Sequence, residues 1–180
     1  MVTPSLIAVI GPDGAGKSTL VQDVAHVAFN APRAVQVNGR TATVLDVRTP
    51  SRMLELVDFA DMETQTALLG ASRFAGAVLV VSALDSLMPG HQASMQHARQ
   101  LGIPVAAVAL TKCDLVDDEE MTELVEMEVR ELLNKYGLPG DGIPVVRLRA
   151  KSERPHEGRE PEAAKRRLVG AQSLVAVLGR

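Results

Sequence analysis

The chain has 180 residues, 46% hydrophobic and 23% charged, which is enough apolar sequence for one domain to bury a core without metal or disulfide staples. With 19 Lys and Arg against 22 Asp and Glu, the formal charge is −3, so there is no basic footprint for general nucleic-acid binding. Aromatic residues are 2% and Cys113 is the single cysteine, which excludes base-stacking platforms, an intramolecular disulfide and a cysteine-cluster zinc site.

In chain order, Leu6-Ile7-Ala8-Val9-Ile10 is an apolar run ended by Gly11, the pattern of a strand buried on both faces of a parallel sheet. A helical pattern follows over 17–28. Segments 44–48 and 52–57, joined by Thr49-Pro50-Ser51, read as an antiparallel hairpin. A helix is expected over 64–73, a buried strand over 77–81, a helix over 92–101, and a strand over 105–110 entered through Pro104. The next helix, 118–136, carries Met121, Leu124, Val125, Glu128 and Leu132 on one face, so a single charge interrupts an apolar stripe. Gly137 follows as a C-cap. A short strand, 145–148, leads through the polar loop 151–161 to a last helix over 162–177. Strands alternating with helices predict a doubly wound α/β fold with a mostly parallel sheet, forming one domain over 1–180. With no leader sequence and no apolar run of about 18 residues, a soluble cytoplasmic protein is expected, without membrane contact.

Gly11-Pro12-Asp13-Gly14-Ala15-Gly16-Lys17-Ser18 fits G-x-x-x-x-G-K-[ST] between a strand and a helix. Glycines let the loop curl so that its N–H groups face phosphate oxygens, and the helix N-terminus adds partial positive charge. Asp13, Gly14, Ala15, Gly16, Lys17, Ser18 and Thr19 are the expected phosphate-binding residues. Lys17 would bridge the terminal phosphates as the catalytic charge, and the Ser18 hydroxyl would ligate Mg2+. Asp58 ends a strand after Leu54-Glu55-Leu56-Val57, the Walker-B position for holding the same magnesium. The motif alone does not choose among ATPase, GTPase and kinase.

Thr111-Lys112-Cys113-Asp114 directly follows the 105–110 strand and resembles the N/T-K-x-D element of GTPases. There the Asp accepts from the guanine ring N–H and amino group, a pairing adenine cannot make, and the Lys stem packs over the base. The surroundings carry the resemblance further. Thr111-Lys112-Cys113-Asp114-Leu115-Val116-Asp117-Asp118-Glu119-Glu120 leads into Glu123-Leu124-Val125-Glu126-Met127-Glu128-Val129-Arg130-Glu131-Leu132-Leu133 and then Tyr136-Gly137-Leu138-Pro139-Gly140-Asp141. Upstream stands Gly70-Ala71-Ser72-Arg73-Phe74-Ala75-Gly76-Ala77-Val78-Leu79-Val80-Val81. This stretch is similar to the GTPase domain of bacterial translation elongation factor Tu, closely over 70–147, well at the P-loop and poorly over 30–63.

The resemblance implies a P-loop NTPase of Ras-like fold, with a six-stranded sheet and helices on both faces. It also implies GTP and GDP as ligands, Mg2+ as cofactor, and two switch segments that respond to the γ-phosphate. The departures bear on activity. The family's Asp-x-Pro-Gly-His signature is replaced by Asp58-Phe59-Ala60-Asp61-Met62, removing a γ-phosphate donor and the His that positions water. Thr41 is a candidate for the first-switch threonine, although its setting after Asn38-Gly39 favours a hairpin-edge residue. Asp13 stands near the expected γ-phosphate. The base loop reads Arg149-Ala150-Lys151, where Ala150 can still offer its N–H to the guanine oxygen. The family's two barrel domains are not expected here, and neither is direct tRNA binding. The expectation is GTP and GDP binding with slow intrinsic hydrolysis, and a protein regulator or effector at the altered switch region.

Two other functions stay open. One is a non-catalytic interaction module using nucleotide structurally. The other is an ATP-dependent small-molecule kinase, because Pro12 to Thr19 also resembles the P-loop of thymidylate kinases. His26, His91, His97 and His156 do not cluster with carboxylates and read as surface or helix residues. Cys113 has no evident activating base. The run 117–120 reads as a helix N-terminus complementing the dipole, and Lys165, Arg166 and Arg167 read as a solvated face.

Overall fold

The computed structural model describes residues 3–85, 87–116, 118–149 and 160–180; for 160–168 it describes the helix backbone alone. The elements are β1 (Ser5–Ile10), α1 (Lys17–Ala28), β2 (Arg33–Val37), β3 (Arg40–Arg48), β4 (Met53–Phe59), α2 (Met62–Leu69), β5 (Gly76–Ser82), α3 (Pro89–Gln100), β6 (Val105–Thr111), α4 (Glu119–Lys135), β7 (Val145–Arg147) and α5 (Glu160–Leu178). Ala150, Asp117, His156 and loop residues 151–159 lie outside the described residues, as do the side chains of Lys165, Arg166 and Arg167.

The described residues form one sheet of seven strands, ordered β2-β3-β4-β1-β5-β6-β7. β4, β1, β5, β6 and β7 run parallel, while β2 and β3 pair antiparallel on one side. The seventh strand corrects the expected six. β2 folds back on β3 through Asn38 and Gly39, both at positive φ, the backbone that a two-residue hairpin turn requires. The Thr49-Pro50-Ser51 turn forms as expected, with Thr49 N–H donating to the Arg52 carbonyl at 3.0 Å.

The continuous apolar runs of β1, β5 and β6 are buried on both faces, as parallel strands covered by helices must be. One core lies under α1 and α5 and includes Leu20, Val24, Leu54, Leu56, Val80 and Leu174. The other lies under α2, α3 and α4 and includes Phe59, Leu68, Met95, Leu110, Val129 and Leu133. In α4 the buried stripe is Thr122, Val125, Val129, Leu132 and Leu133. Met121 and Leu124 are about half exposed, so the helix is rotated from the expected face and Glu128 interrupts no apolar stripe. Gly137 ends α4 at positive φ, its N–H donating to the Asn134 carbonyl at 2.9 Å. Among the described residues no helix is long and apolar enough to cross a membrane.

β1 lies between β4 and β5, so the chain leaves the sheet in opposite directions on its two sides. The carboxyl end of β1 is therefore a topological switch point, where α/β sheets bind ligands.

Candidate functional site

The loop after β1 curls through Gly11, Gly14 and Gly16, all at positive φ, and opens α1 at Lys17. Gly11 leaves no space for a side chain: a Cβ there would lie 2.7 Å from the Val80 carbonyl oxygen of β5. Lys17 is 7% exposed. Its ammonium donates to the Gly11 and Pro12 carbonyls, each at 3.0 Å, and lies 3.6 Å from the Asp13 carboxylate. The positive charge thus sits inside the curl, where phosphate oxygens would meet it.

The β1–β4 register sets Val9 beside Asp58, bringing that aspartate to the first turn of α1. The Ser18 hydroxyl donates to Asp58 Oδ2 at 2.7 Å. Asp58 Oδ1 is buried and has no hydrogen-bond partner among the described residues. Burial pushes the Asp58 carboxyl above its ordinary value, against the Ser18 hydrogen bond and the nearby Lys17 charge. A buried carboxylate oxygen without a donor, beside a hydroxyl, is a donor set that fits a hard divalent cation such as Mg2+.

On the other side of the loop, β5 and β6 align Ser82 with Thr111. The Thr111 hydroxyl donates to the Ala15 carbonyl at 2.6 Å and approaches the Val81 carbonyl at 3.2 Å. A Cβ on Gly16 would come within 3.1 Å of that hydroxyl, so the two motifs pack directly. Lys112 turns the chain at φ 58 and its ammonium meets Asp85 at 2.9 Å. The hydrogen bond from Lys112 holds the Asp85 carboxyl below its ordinary value. Asp114 is half-buried in the same turn. The segment after β7 closes on this turn: Cys113 N–H donates to the Leu148 carbonyl at 3.2 Å and Leu148 N–H to the Leu110 carbonyl at 2.7 Å. Arg149 follows, exposed, at the rim. Burial pushes the Cys113 thiol up, away from thiolate chemistry.

Behind β7, Arg147 reaches Glu126 at 3.1 Å, and Arg130 reaches Glu126 at 2.8 Å and the Gly140 carbonyl at 2.7 Å. These contacts fix the rim of the base side to α4. Asp118 caps α4, accepting from Glu120 N–H at 2.9 Å, with Glu119 and Glu120 in the first turn as the charge pattern predicts.

Three residues near the loop escape sequence reasoning. Gln65 of α2 and Ser94 of α3 are buried and bonded to each other at 2.8 Å. His91 is a helix residue but not a surface one, being 0% exposed. Burial holds its imidazole below its ordinary value, against its bond to Met88. An isolated polar residue in a helix carries no periodic signal. The usable hint is Gly90, where a Cβ would lie 2.7 Å from Pro12 and which therefore brings this turn of α3 onto the loop. Thr41 stays a hairpin residue, its hydroxyl accepting from Gln36 across β2 and β3 at 2.7 Å.

A sheet with its phosphate loop at the switch point, and a second polar loop packed against it, defines a P-loop nucleotide-binding domain. The model of the elongation factor Tu GTP binding domain family matches residues 41–178. That is well over half of the chain, and the chain belongs to this family as a GTP-binding G domain. The phosphate loop itself precedes the matched span, so its geometry is independent support.

Proposed function

We propose that this protein binds one guanine nucleotide across its two loops with Mg2+ and hydrolyses GTP slowly when alone. The observation that carries the reading is the 2.6 Å bond from Thr111 to Ala15, which ties the base-side loop to the phosphate loop so that one ligand can reach both.

In this reading the amides from Asp13 to Thr19 and the Lys17 ammonium take the phosphates. Asp114 accepts from the guanine ring N–H and amino group, and the Lys112 stem flanks the base. A wrong base would leave the carboxylate without its paired donors, which is a strong ground for discrimination. Arg149 stands exposed at the rim of the base side, and the Ala150 N–H would be offered to the guanine oxygen. Ser18 and Asp58 would hold Mg2+, whose chemistry is to neutralise charge on the β- and γ-phosphates. Lys17 adds to that neutralisation as charge builds on the leaving oxygen.

Slow turnover follows from the residues after Asp58. Phe59 is buried in the core, and Asp61 is committed to capping α2, accepting from Thr64 N–H at 2.7 Å. Neither is disposed to orient a water. A protein partner contacting β2, β3 and α2 could supply that group in trans. The test is calorimetric titration with GTP against ATP in magnesium, followed by single-turnover hydrolysis. Tight GTP binding with little ATP binding supports the reading. Equal or tighter ATP binding rejects it in favour of a kinase, and no binding of either leaves an interaction module.

A further inference from the structure

Three elements meet behind the phosphate loop, and one side chain joins them. Gln65 on α2 is 1% exposed. Its Oε1 accepts from the Gly11 N–H at 3.1 Å, and its Nε2 donates to Ser94 Oγ of α3 at 2.8 Å. The Ser94 hydroxyl passes the chain on to the Gly90 carbonyl at 2.8 Å, and Gly90 packs on Pro12. The first turn of the same helix is held as well. Asp61 caps it, and Glu63 forms an ion pair with Arg40 of β3 at 2.6 Å. Ala60 and Asp61 alone separate the end of β4 from the start of α2.

We infer that Gln65 is a positioning residue that brackets the phosphate loop to α2 and α3, so that α2 keeps one position whether the bound nucleotide carries two phosphates or three. The inference rests on the guanine-nucleotide reading above. A segment that follows the magnesium-site aspartate can report the terminal phosphate only by moving. Here a shift of α2 away from the loop breaks the Gly11–Gln65 and Gln65–Ser94 bonds together, leaving the Gly11 N–H and the Gln65 Oε1 without partners and the Gln65 Nε2 only the Met62 thioether of its own helix at 3.6 Å. A ligand drives such a shift only if it binds the moved state better by more than that cost. With two residues of connection, the chain has little slack to recover those bonds. The bracket also holds the first amide of the loop in place, so it preorganises the curl for either nucleotide.

The test is amide hydrogen exchange on the full chain with Mg-GDP and with Mg and a non-hydrolysable GTP analogue, beside calorimetry of both ligands. In the native protein the Gly11 amide is protected in both states, and residues 62–69 exchange at rates equal within about threefold. Gln65→Leu removes the amide, so Gly11 protection drops about tenfold or more, both ligands weaken by one common factor, and exchange over 62–69 becomes dependent on the nucleotide. Gln65→Glu restores Gly11 protection, because its carboxylate accepts from Gly11 N–H and from the Ser94 hydroxyl, which turns to it from the Gly90 carbonyl. Ser94→Ala keeps the Gln65–Gly11 bond and falls between, which serves if Gln65→Leu does not fold. A glutamine with a merely structural role lowers stability on substitution and leaves exchange equal in the two states. The inference is overturned if native α2 exchange differs about tenfold between the two ligands, or if Gly11 protection survives Gln65→Leu. Nucleotide binding with a moving α2 removes the bracket alone. Binding of neither nucleotide removes the guanine reading and this inference with it.

Discussion

The two sides of the sheet are built differently. From β1 through β5 and β6 to the half-buried edge strand β7, parallel strands end in polar loops that converge on one edge, where Lys17, Thr111 and Asp114 stand. From β4 through β3 to β2, the sheet turns antiparallel and β2 ends it as an edge strand. Its face beside α2 holds a groove of about 260 Å3 lined by Val35, Val37, Val44, Val57, Leu68 and Phe74. The first side carries the parts proposed above to hold the nucleotide. The second side departs from the family pattern in the parts that would sense the terminal phosphate and position water. Asp58 sits at the seam, contributed by β4 but bonded to Ser18 of α1. On the proposed reading, holding a nucleotide and responding to it are separable, and substitutions on the two sides are expected to have different consequences.

The largest effect is expected from Lys17→Ala. Losing charge-assisted bonds to phosphate inside a desolvated loop weakens nucleotide binding by about 1,000-fold in calorimetry, with the folded state preserved. Retained affinity would break the assignment of the parallel side. Next is Asp114→Ala, which lowers the preference for GTP over ATP by about 100-fold, read by competition of the two nucleotides. Thr111→Val leaves the Ala15 carbonyl without its hydroxyl donor, costs about 1–2 kcal/mol in urea unfolding, and weakens nucleotide binding by about tenfold because the two loops lose their tie.

Asp58→Asn sharpens the seam. The native carboxyl is held above its ordinary value by burial. Its contribution to stability is therefore full below the unfolded carboxylate value of about 3.9 and is lost as pH rises through the folded value. In the free protein at neutral pH, Asp58→Asn removes a carboxyl whose ionisation burial disfavours and raises Tm by about 3 °C, while abolishing the extra stabilisation given by magnesium with GDP. Scanning calorimetry with and without magnesium reads both signs. The smallest effect is on the antiparallel side: Arg40→Ala removes a surface ion pair with Glu63 and changes stability by under about 0.5 kcal/mol, with nucleotide affinity unchanged.

The sequence made the parallel side legible because continuous apolar runs ending in a glycine-rich loop, or in a T-K-x-D turn, have few other physical meanings. The 17–28 helix is found over the same residues, Lys17–Ala28. The antiparallel side was harder to read. β2 is five residues, Arg33 to Val37, half exposed and without clean alternation, so the Asn38-Gly39 turn was its best signal. The rotation of α4 was hidden because Met121, Leu124 and Met127 make an apolar stripe as regular as the buried one, and packing against the sheet chose between them. Gln65 was invisible for a different reason. A lone glutamine in a helix acquires meaning only when the fold sets it against Gly11, which lies 54 positions earlier in the chain.

The central claim is that a single guanine nucleotide spans both loops. The most direct measurement is an NMR titration of the labelled protein with GDP and magnesium, following amides of Gly14 to Ser18 and of Thr111 to Asp114, with ADP as the control. The account predicts that both sets shift together along one binding curve with GDP, while ADP leaves the second set in place. Movement of the phosphate loop alone with GDP, or of both loops equally with ADP, would contradict it.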